Sequence, residues 1–101
     1  MKGIIWSKFT PRAVMALRFL DQDYRNQGIE PVEMKPESDF SDIRIIKYDN
    51  GDEWQIVAAT KASRGYRCNL SYIDSEIDPE IVKTIIKPAT TALPFNGFNY
   101  F

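Results

Sequence analysis

Asp49-Asn50-Gly51-Asp52, set between two apolar runs at residues 43–48 and 54–59, constrains this chain more than any other stretch. Asn-Gly supplies the positive φ angles that tight hairpin turns demand, and the flanks are rich in Ile, Tyr, Trp and Val. The pattern predicts a β-hairpin, and therefore a sheet to which the remaining elements must attach.

Those elements read in order. Ile4-Ile5-Trp6 is a short buried strand. Thr10-Pro11 predicts a helix start, with the Thr hydroxyl as cap and Pro11 in the first turn, where its missing N–H costs no bond. Val14, Leu17, Leu20 and Tyr24 recur at helical spacing, and Asn26-Gln27-Gly28 ends the run. Residues 29–42 hold Pro31, Pro36 and the acids Glu30, Glu33, Glu37, Asp39 and Asp42, which predicts a loop or a poorly paired edge. After the hairpin, residues 60–69 form a polar loop carrying Lys61, Arg64, Gly65 and Arg67. Residues 70–73 are a strand running into Asp74, Glu76 and Asp78. Asp78-Pro79-Glu80 opens a second helix, with Val82 and Ile86 on one face, Ile81 and Ile85 on the next, and Pro88 bending or ending it. The expected fold is α/β: a single domain spanning 1–101, a small sheet with a hairpin, two main helices and an aromatic tail at 93–101.

Composition narrows the chemistry. Of the 101 residues 44% are hydrophobic and 13% aromatic, enough for a packed core. Thirteen Lys and Arg against fourteen Asp and Glu leave a net charge of −1, so contact with nucleic acid would need a local patch. No apolar run approaches bilayer length, and the longest near the start, Ile4-Ile5-Trp6, is too short for a signal peptide. Cys68 is the only cysteine, which forbids an internal disulfide and, with no leader, predicts the cytoplasm. Cys68 itself reads as a small apolar filler, and Trp6 and Trp54 as core. With no histidine, Ser-His-Asp and Cys-His catalysis are excluded.

Residues 44–92 resemble the middle of the ATPase domain of the phage DNA-packaging terminase large subunit. The likeness lies in Asn50-Gly51, then Ser63-Arg64-Gly65-Tyr66, then Leu70-Ser71-Tyr72-Ile73-Asp74, then the helix between Pro79 and Pro88. Residues 4–27 are similar to the family's preceding strand and helix more loosely. The resemblance implies a fragment of a P-loop NTPase core, with Asp74 in the place of the Walker B residue that holds Mg²⁺. Ser75 stands where the family has its catalytic Glu, and no G-x-x-x-x-G-K-[ST] loop exists. The function this resemblance implies is that of a phage or prophage protein, a truncated or split terminase core, acting as a non-catalytic interaction module or one piece of a packaging motor. It would use Mg²⁺ and ATP only if a partner completed the site.

Each candidate has a second reading. Asp74, Glu76 and Asp78 are a metal site, a nuclease-like carboxylate trio or a solvated strand end with a helix cap. Lys61, Arg64 and Arg67 contact phosphate or DNA, or are a solvated loop. Phe95, Phe98, Tyr100 and Phe101 anchor a partner protein, or fold back over a sheet edge left bare by a missing phosphate-loop strand. The alternative function is a small phage-encoded protein that binds and inhibits or redirects a host enzyme.

Overall fold

The computed structural model describes residues 1–35 and 44–101. Its strands are β1 (Lys2–Ser7), β2 (Pro31–Lys35), β3 (Ile45–Tyr48), β4 (Glu53–Ala58), β5 (Leu70–Ile73) and β6 (Gly97–Tyr100). They form one mixed sheet in the order β2-β3-β4-β1-β5-β6. Strands β4, β1, β5 and β6 run parallel; β3 is antiparallel to β4, and β2 to β3. This is an α/β fold with a helix on each face.

Alternation along the strands explains the two layers. Ile4 and Trp6 face one way and pack with Val57, Ile73, Val82, Ile85 and Ile86; Ile5 faces the other way, with Val14, Leu17, Ile46, Trp54 and Ile56. The second layer is covered by α1 (Thr10–Asn26), whose buried residues are Ala13, Val14, Leu17 and Asp21. The first is covered by one helical run over residues 79–89, made of α2 (Pro79–Ile81), a π-helical turn (Val82–Ile86) and α3 (Lys87–Ala89). Lys87 N–H bonds back to the Val82 carbonyl, five residues earlier. The wide turn lies just before Pro88, which has no N–H to give and whose ring crowds an ordinary helical turn. Both tryptophans are core, as expected: Trp6 and Trp54 are almost wholly buried. Trp54 also explains Gly3, where a Cβ would enter the indole ring.

The helix ends follow the sequence with one correction. Thr10 does not cap α1: Phe9 is the N-cap, its side chain makes no cap bond, and Thr10 is the first helical residue. The far end is a Schellman closure, with Gly28 at φ 77°, Gly28 N–H on the Arg25 carbonyl and Ile29 N–H on that of Tyr24. Asp78 caps the second helix as expected, its carboxylate accepting Glu80 N–H at 2.8 Å. In the hairpin only Gly51 takes a positive φ; Asn50 instead braces the loop through its side chain, which accepts Asp52 N–H at 2.9 Å.

Three expectations concern the sheet. Part of the proline-bearing stretch is β2, an edge strand whose pairing with β3 shifts register between Pro31 and Glu33. Pro36, Glu37, Asp39, Asp42 and Ile43 lie outside the described residues. The side of β5 expected to be bare is covered, because β1 pairs with it in parallel. The opposite side of β5 is taken by the tail, which forms β6 and runs parallel to it.

Candidate functional site

The connection from β1 leaves through α1 toward β2, and that from β5 leaves through the second helix toward β6. The two depart to opposite sides, so the carboxyl ends of β1 and β5 form a switch point, the usual crevice for a ligand in a parallel sheet. Asp74 is the first residue beyond β5 and is fully buried there. Its Oδ1 accepts Glu76 N–H at 2.9 Å, and its Oδ2 is buried with no hydrogen-bond partner among the described residues. β5 therefore ends at Ile73, as expected, and Glu76 lies beyond it. The chain turns at Asp74, because a carboxylate that accepts an N–H two residues on stabilises a turn instead.

The crevice is closed by the chain's own groups. Arg12, in the first turn of α1, brings Nη2 to 3.4 Å from Asp74 Oδ1. The same nitrogen donates to the Phe101 carbonyl at 3.2 Å, and Ser75 N–H donates to that carbonyl at 2.8 Å. Phe101 N–H closes the loop on the Ile73 carbonyl at 2.9 Å. Tested against a Mg²⁺-bound nucleotide, these residues do not fit. A guanidinium holds the near side of the Asp74 carboxylate. The turn after β1, Ser7-Lys8-Phe9, has no glycine to let backbone N–H groups approach phosphates. No group of three metal-capable side chains occurs among the described residues, so Asp74, Glu76 and Asp78 are not gathered into one site.

The basic loop splits. Arg64 and Arg67 line a groove of about 290 Å³ with Tyr66, Thr84 and Pro88, while Lys61 stands apart from it. All three side chains are exposed. The tail divides as well: Phe98 packs into the second-helix layer and Phe101 into the α1 layer. Phe95 touches Phe98 edge-on at 5.5 Å yet stays half exposed, as does Tyr100. Cys68 is buried beside Ser71 and Thr90, a filler as expected.

Several interactions that organise the molecule were not read from the sequence. Trp6 Nε1–H donates to Ser71 Oγ at 2.9 Å, Ser71 to Thr90 at 2.6 Å, and Thr90 to the Ile86 carbonyl at 2.6 Å, a buried relay that pins β1, β5 and the second helix. Asp21 is buried and accepts from Tyr48 at 2.7 Å and Arg25 at 2.9 Å. Its signal was available: it falls four residues after Leu17, on the apolar stripe of α1. At the amino end of the sheet, Tyr24 donates to Asp52 at 2.7 Å and accepts from Trp54 Nε1–H at 3.0 Å. Burial, reinforced by Asp52, pushes the Tyr24 hydroxyl up to about 12.

No family model matches the chain, and no similar curated protein or solved structure was found. No helix among the described residues is long and apolar enough to cross a membrane.

Proposed function

We propose that this chain is a non-catalytic interaction module on a terminase-like ATPase core, a phage or prophage protein that serves as one piece of a DNA-packaging motor. The observation that carries this reading is the Arg12–Asp74 pair at the switch point. An arginine in the first turn of the helix after β1 pairs with one oxygen of that carboxylate, where a motor ATPase would need the carboxylate free for a metal ion. A core that keeps the frame and closes the crevice is suited to binding a protein rather than to turnover. ATP and Mg²⁺ would belong to a partner that supplies the phosphate loop.

The purified chain should therefore give no calorimetric heat with Mg·ATP and no hydrolysis. Micromolar affinity would overturn the non-catalytic part of the reading. Co-expressed with packaging subunits, a tagged full-length chain should retain one of them and raise its ATP turnover.

A second reading, that the chain binds and inhibits a host enzyme, is favoured by one surface. Met15 and Phe19 on α1 are 58% and 69% exposed, four residues apart, and share an apolar depression with Arg12 and Phe101. Such side chains are the usual anchors of protein interfaces. Retention of a single host enzyme, with no packaging subunit, would decide for this reading.

A further inference from the structure

The amino end of the sheet holds a pocket that neither reading uses. It measures about 300 Å³, near the lower end for small-molecule sites, and lies between the last turns of α1 and the starts of β4 and β5. Its aromatic surface comes from the half-buried rings of Tyr24 and Tyr72, with the buried indole of Trp54 behind them; Trp54 and Tyr72 meet edge-on at 5.0 Å. We propose that this pocket binds a small organic ammonium ion, a positive head on an apolar body.

Three observations point to a cation. Two carboxylates, Asp23 and Asp52, line the pocket against one positive group, the Met1 ammonium, with no Lys or Arg side chain among the described residues. Asp52 is committed to structure: it accepts from Tyr24 and Asn50 and pairs with that ammonium at 3.3 Å, which leaves Asp23 to meet a ligand's charge. Asp23 is exposed at the rim, and its charge faces Tyr72, whose hydroxyl is raised first by burial and then by that charge. The pocket also adjoins the C-terminal end of α1, a 17-residue helix whose dipole places partial negative charge there. Rings and carboxylates together attract an ammonium that either group alone would hold poorly, since a ring face adds to the Coulomb term once water is displaced.

The walls are pre-set. Trp54 donates to Tyr24, Tyr24 to Asp52, and Tyr24 is stacked on Tyr48 with ring centres 4.0 Å apart. A ligand entering here would pay little to order the rings, which favours binding by a rigid, shaped site. Gln27 and Asn50 add amide groups at the mouth that suit a hydroxyl or carbonyl on the ligand's body.

The test uses the ¹⁵N-labelled full-length chain and two probes of matched shape, choline and its uncharged isostere 3,3-dimethylbutan-1-ol. Choline should shift the Trp54 Nε1–H resonance and bind at least tenfold more tightly than the alcohol. Asp23→Asn, on an exposed side chain, should weaken choline about tenfold and leave the alcohol unchanged. Equal affinity for both probes would make the pocket merely apolar and overturn the proposal. So would choline shifts that avoid Trp54, or an Asp23→Asn variant that binds choline as well as the parent. None of these outcomes depends on the packaging-motor reading, since the pocket lies at the opposite end of the sheet from Asp74.

Discussion

The two ends of the sheet treat charge in opposite ways. At the carboxyl end, Asp74 is buried, met by Arg12 and walled in by the Phe101 backbone. At the amino end, Asp52 is used to fix Tyr24 while Asp23 stays exposed beside a ring-lined pocket. Parallel sheets conventionally offer the carboxyl end to ligands because connections diverge there. In this molecule the divergence is present and the opening is filled. The comparison teaches that topology marks where a site could form, and that the side chains then decide whether it does.

The sharpest way to break the comparison is to remove the residues that fill the carboxyl end. Deleting residues 94–101 takes away β6, the pairing along β5, and the half-buried Phe98 and Phe101. Aromatic side chains bury on the order of 150–250 Å² each when enclosed. The deletion should cost about 4–6 kcal/mol, a large part of the stability of a small domain. Thermal unfolding should move down by tens of degrees, with dye-binding apolar surface exposed. A truncated chain as stable as the parent would mean that the tail does not close this end.

A smaller perturbation tests the charge itself. Arg12→Ala leaves Asp74 buried with one hydrogen bond to Glu76 N–H and no counter-charge. Removing one partner of a fully buried pair costs roughly 3–5 kcal/mol. Arg12 is 41% exposed, so water recovers part of that, and about 2 kcal/mol is expected. Asp74→Asn removes the charge together with its need, so Arg12→Ala made in that background should cost less than in the parent. Denaturant midpoints of the four proteins in this cycle give the coupling. Additive effects would show that the pair does not hold the crevice shut.

How much of the fold and the site was legible depends on which interactions are local. The hairpin, the strand at Leu70–Ile73, the Asp78 cap and the stop at Gly28 were readable because each depends on residues within a few positions. The tail's path as a strand beside β5 was not, because its bonds to Asn69, Ile73 and Ser75 span 26 to 28 positions and need the sheet in place first: Asn96 N–H bonds Asn69, Phe101 N–H bonds Ile73, and Ser75 N–H bonds Phe101. Thr10 misled because Thr-Pro suits both an N-cap and a first-turn position, and only the backbone angle at Phe9 separates them. For the candidate site, Asp74 at a strand end was visible and Arg12 was not, since nothing in the sequence places β1 beside β5. The pocket at the amino end was hidden for the same reason. Its walls come from α1, β4 and β5, and each ring read alone is ordinary core.

The smallest effect concerns pH and belongs to the amino half of the molecule. Burial first, then the hydrogen bond to Asp21, raises the Tyr48 hydroxyl well above the usual tyrosine range; burial and Asp52 take Tyr24 to about 12. A raised pKa in the folded state means the native chain keeps protons that the unfolded chain releases near pH 10. The stability these hydroxyls contribute is thus complete below pH 10 and declines as pH rises through about 12, so the protein should soften in alkali with no comparable loss at neutrality. Tyr48→Phe deletes the bond to Asp21 but leaves that carboxylate its bond to Arg25, so at pH 7 it should cost only about 1 kcal/mol. In return the variant should lose less stability than the parent between about pH 10 and 12. Ultraviolet titration of tyrosinate, followed with unfolding midpoints across that window, checks both statements. If parent and variant decline in parallel, Tyr48 is not the group that couples this end of the sheet to pH.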